Sequence, residues 1–178
     1  MNNNKRSLYD VDPGPDCPRV VRMIVEIPKN SSHKYEYDNE LDLFRLDRML
    51  YLPLHYPGEY GFIPGTISED GDPLDVLTLV GEPGYPGIML LARPVGLLDM
   101  IDCSEPDQKV LAVAHGDPRF DQIQSTDNVF PHSLREIEEF FSIYKDLEGK
   151  HVEIRGWRGA EEAHRLIGEC RERYLSSK

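Results

Sequence analysis

Asp70-Gly71-Asp72-Pro73-Leu74-Asp75-Val76 places three carboxylates within six positions of one short segment. Two like charges about 4 Å apart repel by roughly 4 kcal/mol at an effective dielectric near 20. A fold that gathers three of them needs a strong positive counterpart, and a hard divalent cation with oxygen ligands supplies one. Asp102 and Asp107 flank a later polar turn and extend the acidic set. Oxygen-only ligands drawn from loops favour Mg²⁺, Mn²⁺ or Ca²⁺ over zinc. The spacing is not that of an EF-hand. Counted from Asp70, the fifth position is Leu74, the sixth Asp75 and the twelfth Gly81, where that motif needs an acid or amide, then Gly, then Glu. A solvated acidic turn is the plainer alternative.

Lys34, Arg48, Lys109 and Lys145 form a basic set spread over four segments. Lys109 follows Asp107 by two, so on a strand the two side chains share a face. Taken singly, each cation reads as a surface charge. Taken with the acids, they make an alternating lining suited to phosphate, whose oxygens Mg²⁺ can bridge to carboxylates. Tyr56 and Tyr60 lie in a Pro/Gly-rich segment and Tyr144 on a helical stripe. Each phenol can donate to a phosphoryl oxygen, although Tyr144 also reads as core.

The chain of 178 residues suits one domain, read here as residues 20–178 behind a lead-in arm over residues 1–19. Its formal charge of −12 opposes broad attraction to nucleic acid or to an anionic membrane. Cys17, Cys103 and Cys170 are far apart and odd in number, so free thiols in a reducing cytoplasm fit better than disulfides or a zinc site. No signal region or membrane-length apolar run is found. Nucleotide-binding glycine loops and a nucleophile elbow are also missing. The six histidines form no HxxxH or HExxH pair. Cys103 beside Asp102 has no evident His partner and reads as an inert thiol.

The elements that must position these groups are mostly short strands. Residues 20–27 alternate, with Val21, Met23, Val25 and Ile27 on one face, and Pro28 ends the run. Residues 34–37 and 41–46 read as strands joined by a turn at Asp38-Asn39-Glu40. Residues 51–64, rich in Pro, Gly and Tyr, read as a long ordered loop. Residues 75–80, 88–95, 97–101, 109–115 and 151–157 read as further strands, with a break near Pro94. Ser133 and Glu136 suggest a capping box opening a helix that Gly149 stops. Residues 160–174 carry a second amphipathic stripe. Many strands followed by two helices suggest a small barrel or sandwich with helices packed on it.

At this point the chain resembles the soluble family I inorganic pyrophosphatases. Asp70–Val76 fits that family's short signature, D-[small/polar]-D-[P/E]-[aliphatic]-D-[aliphatic], at every position. The likeness continues through Val25-Glu26-Ile27-Pro28, Lys34-Tyr35-Glu36, Asp47-Arg48, Tyr56-Pro57 and Tyr60-Gly61-Phe62-Ile63-Pro64. It runs on through Arg93-Pro94-Val95-Gly96, Asp102, Asp107-Gln108-Lys109 and Tyr144-Lys145-Asp146-Leu147. Where many members carry Glu after the Asp matching Asp102, this chain has Cys103, which alters a contact behind the ligands.

The resemblance implies a mainly β fold: a closed five-stranded OB-type barrel with flanking strands and two C-terminal helices. It implies a cytoplasmic, Mg²⁺-dependent hydrolase that splits pyrophosphate into two phosphates, with several Mg²⁺ per site and Mn²⁺ as an alternative. It also implies a homo-oligomer, a hexamer at this length. On this reading Asp70, Asp75 and Asp107 are the principal metal ligands, with Asp102 beside them. Asp72 takes a proton from the attacking water and Tyr60 helps orient it. Lys34, Arg48, Tyr60, Lys109, Tyr144 and Lys145 hold the phosphates. Glu26, Glu36 and Tyr56 support them from behind. The competing class is a non-catalytic OB module that binds single strands through a basic, aromatic groove. The net charge and the crowded carboxylates oppose it. A calcium-binding structural protein is opposed by the failed EF-hand register and by the lysines.

Overall fold

The structure, a computed structural model, describes residues 7–178. Strand β1 (Val21–Ile27) buries Val21, Met23, Val25 and Ile27 completely, as the alternation predicts. On its other face Ile24 is buried too, against Tyr37 and Phe62. β2 (His33–Asp38) and β3 (Leu43–Met49) form a hairpin whose two strands, among the described residues, pair only with each other.

The next element departs from expectation. Glu59–Ile63 is a strand, β4, not part of a loop, and all five of its residues are buried. It pairs antiparallel with β1 on one side and with β5 (Leu74–Leu79) on the other. The Gly and Pro around it disguise a strand whose glycine has a local reason. A Cβ on Gly61 would lie 2.0 Å from the Ile24 carbonyl oxygen. Only glycine lets the two backbones approach so closely.

β6 (Met89–Asp102) is one strand of 14 residues where the sequence suggests two. Pro94 does not break it, because the register with β8 (Lys109–Ala114) shifts between Pro94 and Gly96. A bulge there absorbs the residue that cannot donate. β7 (Glu105–Pro106) and β9 (Val152–Gly159) also pair with β6. The order β1-β4-β5-β8-β6 closes through a β6–β1 pairing, so five strands form a ring. Within it, β5 and β8 run parallel.

Helix α1 (Pro131–Ile143) starts two residues before the expected Ser133 cap, with Pro in its first turn and Phe130 at the N-cap. The capping box falls upstream instead, where Ser125 and Asn128 close a short 3-10 turn. Gly149, with φ of 70°, ends a second 3-10 turn after α1. Helix α2 (Ala160–Ser176) buries Ala163, Ile167 and Cys170. Two apolar clusters result. One joins Leu77, Leu98 and Leu111 to Ile137, Phe140 and Phe141 of α1. The other joins Met23, Val76 and Ala112 to the buried stripe of α2. Of the stretch before Val20, read as a lead-in, residues 1–6 lie outside the described residues, and residues 7–19 are bonded to the ring. Arg22 N–H donates to the Pro13 carbonyl (2.7 Å) and Gly65 N–H to the Tyr9 carbonyl (2.8 Å).

Two alanine substitutions separate close packing from backbone conformation. Gly149 has open space around a would-be Cβ, so Gly149→Ala should cost only about 1–2 kcal/mol of left-handed strain. Gly61→Ala should cost more than about 4 kcal/mol in urea unfolding, or prevent folding, because backbone must move. Similar losses for the two variants would contradict the close-approach argument.

Candidate active site

One open cavity of about 480 Å³ receives side chains from β1, β2, β4, β5, β6, β7 and β8 and from the segments around Tyr9 and just after α1. The aspartate loop enters β5 and is closed at its neck by Thr66. That hydroxyl donates to the Ile63 carbonyl and accepts from Leu74 N–H (2.9 Å). Within the loop, Ser68 N–H donates to the Asp72 carbonyl (2.7 Å) and Asp72 N–H to Asp70 Oδ1 (3.0 Å). Gly71 takes φ of 94° in the turn between the two aspartates. Asp70, Asp72 and Asp75 therefore reach the same cavity from one short segment.

Lys109 opens β8 and is only 4% exposed. The parallel register pairs Val76 with Val110, which puts Asp75 and Lys109 at neighbouring positions on adjacent strands. Its ammonium donates to both Asp75 and Asp107. Burial alone would push this lysine down, but the two carboxylates outweigh it and hold it well above the usual lysine range. Lys145, just after α1, bonds Asp102 at the end of β6. Burial pulls Asp102 upward, yet the bond and charge of Lys145 prevail and keep its carboxyl below the ordinary value. Lys34 on β2 bonds Glu36 and lies 3.6 Å from Asp47.

Among the described residues, Asp72 has no such partner at bonding distance. Burial raises it, and the like charges of Asp70 and Asp75 raise it further. Glu26 lies beneath the hairpin, where its Oε1 accepts from Tyr37 N–H (2.8 Å). Burial lifts it to about 8 despite that bond, with help from the charge of Asp75. Burial also raises the phenols of Tyr60 and Tyr144, so both stay protonated donors.

Twelve of the fourteen residues singled out from sequence line this one cavity: the five aspartates, Lys34, Lys109, Lys145, Tyr60, Tyr144, Glu26 and Glu36. Arg48 and Tyr56 do not. Arg48 donates from Nε to Glu148 Oε1 (2.7 Å) and from Nη1 to Asp47 Oδ2 (2.6 Å). Tyr56 is 1% exposed and packs against the rings of Tyr60 (5.3 Å) and Phe140 (4.8 Å), behind the wall. Sequence reasoning missed Tyr9, Tyr37 and Ser68 in the lining, and Glu148 as the partner of Arg48. A separation of 100 positions leaves no local pattern by which Glu148 could be found. Cys103 sits on the rim, exposed, with φ of 49°.

Among the described residues, no three acidic, His or Cys side chains converge as a ready-made cation cage. Lys109 stands between Asp75 and Asp107, and Lys145 occupies one oxygen of Asp102. The donor set nonetheless fits a hard divalent cation, since every candidate ligand is a carboxylate oxygen. Asp102 Oδ1 is buried without a hydrogen-bond partner, which a cation would supply.

A five-stranded ring with one mouth of alternating carboxylates and ammonium groups defines a site for cations and anions together, the pairing that phosphoryl chemistry requires. Residues 23–175 match the family model for inorganic pyrophosphatase. The inorganic pyrophosphatase of Halalkalibacterium halodurans is 49% identical over 157 residues, covering 88% of this chain and 96% of that one. That of Geobacillus stearothermophilus is 46% identical over 160 residues, covering 90% and 97%. The crystal structure of inorganic pyrophosphatase from Thermus thermophilus superposes with a TM-score of 0.93 at 43% identity, covering 96% and 99%. The chain belongs to the inorganic pyrophosphatase family.

Glu26 gives a stability signature. The folded state keeps its proton up to about 8, whereas the unfolded chain loses it near 4.5. Between those values the folded state binds more protons, so in EDTA its stability should fall as pH rises. Glu26→Gln should remove that slope, overtaking the wild type by a few kcal/mol near pH 8. Parallel wild-type and variant stability curves between pH 5 and pH 8 in urea titrations would refute the assignment.

Proposed function

We infer that this chain hydrolyses inorganic pyrophosphate to two phosphates. The observation that carries the reading is convergence. Aspartates from one loop and lysines from β2, β8 and the segment after α1 meet in a single cavity, in a chain that belongs to this family.

Asp70, Asp75, Asp107 and Asp102 would hold divalent cations, with Mg²⁺ the proposed occupant and Mn²⁺ the alternative. Such ions, when bound, neutralise phosphate charge and acidify water. Asp72 takes the proton of the attacking water. It suits the role because it is the loop carboxylate raised by burial and by its neighbours, and among the described residues it has no lysine bond. Lys34, Lys109 and Lys145 bind the two phosphates as point charges, while Tyr60 and Tyr144 donate from phenols that stay protonated. Arg48 offers a planar fork for phosphate once it gives up Glu148. Glu36 orients Lys34, Glu26 braces the hairpin, and Tyr56 buttresses Tyr60. Phosphoryl transfer depends mainly on such positioning and charge compensation.

We further propose a cytoplasmic homo-oligomer, a hexamer. The free cysteines suit a reducing compartment, and no described helix is long and apolar enough to cross a membrane. Exposed Leu43, Met49, Tyr85 and Met89 offer apolar area for subunit contact.

Phosphate release from pyrophosphate tests the reading directly. Mg²⁺ should support turnover, and EDTA or Ca²⁺ in its place should abolish or strongly reduce it. No release with Mg²⁺ would defeat the function. Asp72→Asn should lower kcat by at least about 10²-fold with little change in melting temperature. Lys34→Ala should chiefly raise KM. Light scattering should report about six times the 20.4 kDa chain mass.

A further inference from the structure

The β2–β3 hairpin carries Lys34, Glu36 and Arg48, yet it forms a sheet of its own apart from the ring. An isolated two-stranded hairpin is marginally stable in water. Whatever seats it against the ring therefore also seats Lys34. Tyr37 is the meeting point. Its N–H reaches Glu26 of β1. Its hydroxyl accepts from Leu8 N–H (3.2 Å), and its carbonyl accepts from the Tyr9 hydroxyl (3.3 Å). The Tyr9 ring stands edge-on to Tyr37 (5.3 Å) and to Phe62 of β4 (5.0 Å).

The same segment grips the neck of the aspartate loop. Gly65 N–H donates to the Tyr9 carbonyl (2.8 Å). Gly65 adopts φ of 66°, and a Cβ there would lie 2.9 Å from Pro13 Cδ and 3.2 Å from the Val11 carbonyl oxygen. The bond from Arg22 N–H to the Pro13 carbonyl fastens the far end. Tyr9 thus touches the hairpin on one side and the loop neck on the other, and it lines the cavity. The family match begins at Met23, beyond this segment.

We propose that residues 8–13 form a strap that seats the β2–β3 hairpin against the neck of the aspartate loop, with Tyr9 as the positioning residue that sets Lys34 across the cavity from Asp72. The kinetic part of this proposal rests on reading the cavity as a pyrophosphate site.

The test uses the full chain carrying Tyr9→Ala or Tyr9→Phe. In Tyr9→Ala, amide hydrogen exchange in β2 and β3 should quicken about tenfold or more while β5 and β8 exchange as in the wild type. KM for pyrophosphate at saturating Mg²⁺ should rise several-fold, with kcat changing less than about twofold. Tyr9→Phe keeps both ring contacts and should recover most of both losses. Unchanged hairpin exchange, or equal quickening in hairpin and ring, overturns the strap. A hairpin that loosens without any change in KM overturns the positioning of Lys34. A wild-type chain that releases no phosphate would instead refute the functional reading, and the exchange comparison would still decide the strap.

Discussion

An ammonium group buried between two carboxylates governs what this site can be. Lys109 is nearly inaccessible, and Asp75 and Asp107 both meet it. At that depth burial disfavours the ammonium, and the two carboxylates outweigh it; removing one partner of a buried pair costs about 3–5 kcal/mol. The arrangement follows from strand pairing. The parallel register of β5 and β8 sets Asp75 beside Lys109, and the approach to β8 supplies Asp107 two residues earlier. Charge placement and sheet closure are thus one constraint. A chain that forms the ring has already brought a cation and two anions into contact at its mouth.

That local order explains how a protein of net charge −12 can handle a polyanion. The far field repels phosphate, and salt screens it within about 10 Å. Inside the cavity the acidic excess persists, with three lysines facing five aspartates and three glutamates, but the opposite charges stand at close range. Surplus carboxylate remains, most clearly at Asp72, whose neighbours Asp70 and Asp75 share its sign. This surplus is what calls for divalent cations.

Much of this was legible in the chain because the signals are local. Asp70 to Asp75 lie within one turn-rich segment, and Lys109 follows Asp107 at strand spacing. The alternation of β1 and the stripe of α2 reflect single periodicities. What stayed hidden depends on distant partners. β4 looked like loop because Gly61 answers to the Ile24 carbonyl, 37 positions earlier, rather than to its own neighbours. β6 looked broken because a bulge opposite β8 rescues Pro94. The helix start at Pro131 escaped because a Ser-x-x-Glu pattern inside the first turn mimics a cap. Tyr9 escaped because a lone aromatic in a polar stretch has no pattern, and only the fold reveals its partners.

β6 pairs along its 14 residues with β1, β8, β9 and β7. Side chains alternate on a strand, and β6 sends Leu98 into one apolar cluster and Leu97 into the other, so a slip of one residue would exchange the two sets and swing Asp102 out of the cavity. A mis-threaded chain would then place the wrong side chains in both clusters and lose a carboxylate from the cavity in the same step. In this architecture the strand that joins the ring also serves as its proofreader: the register that packs both clusters is the one that brings Asp102 to the mouth.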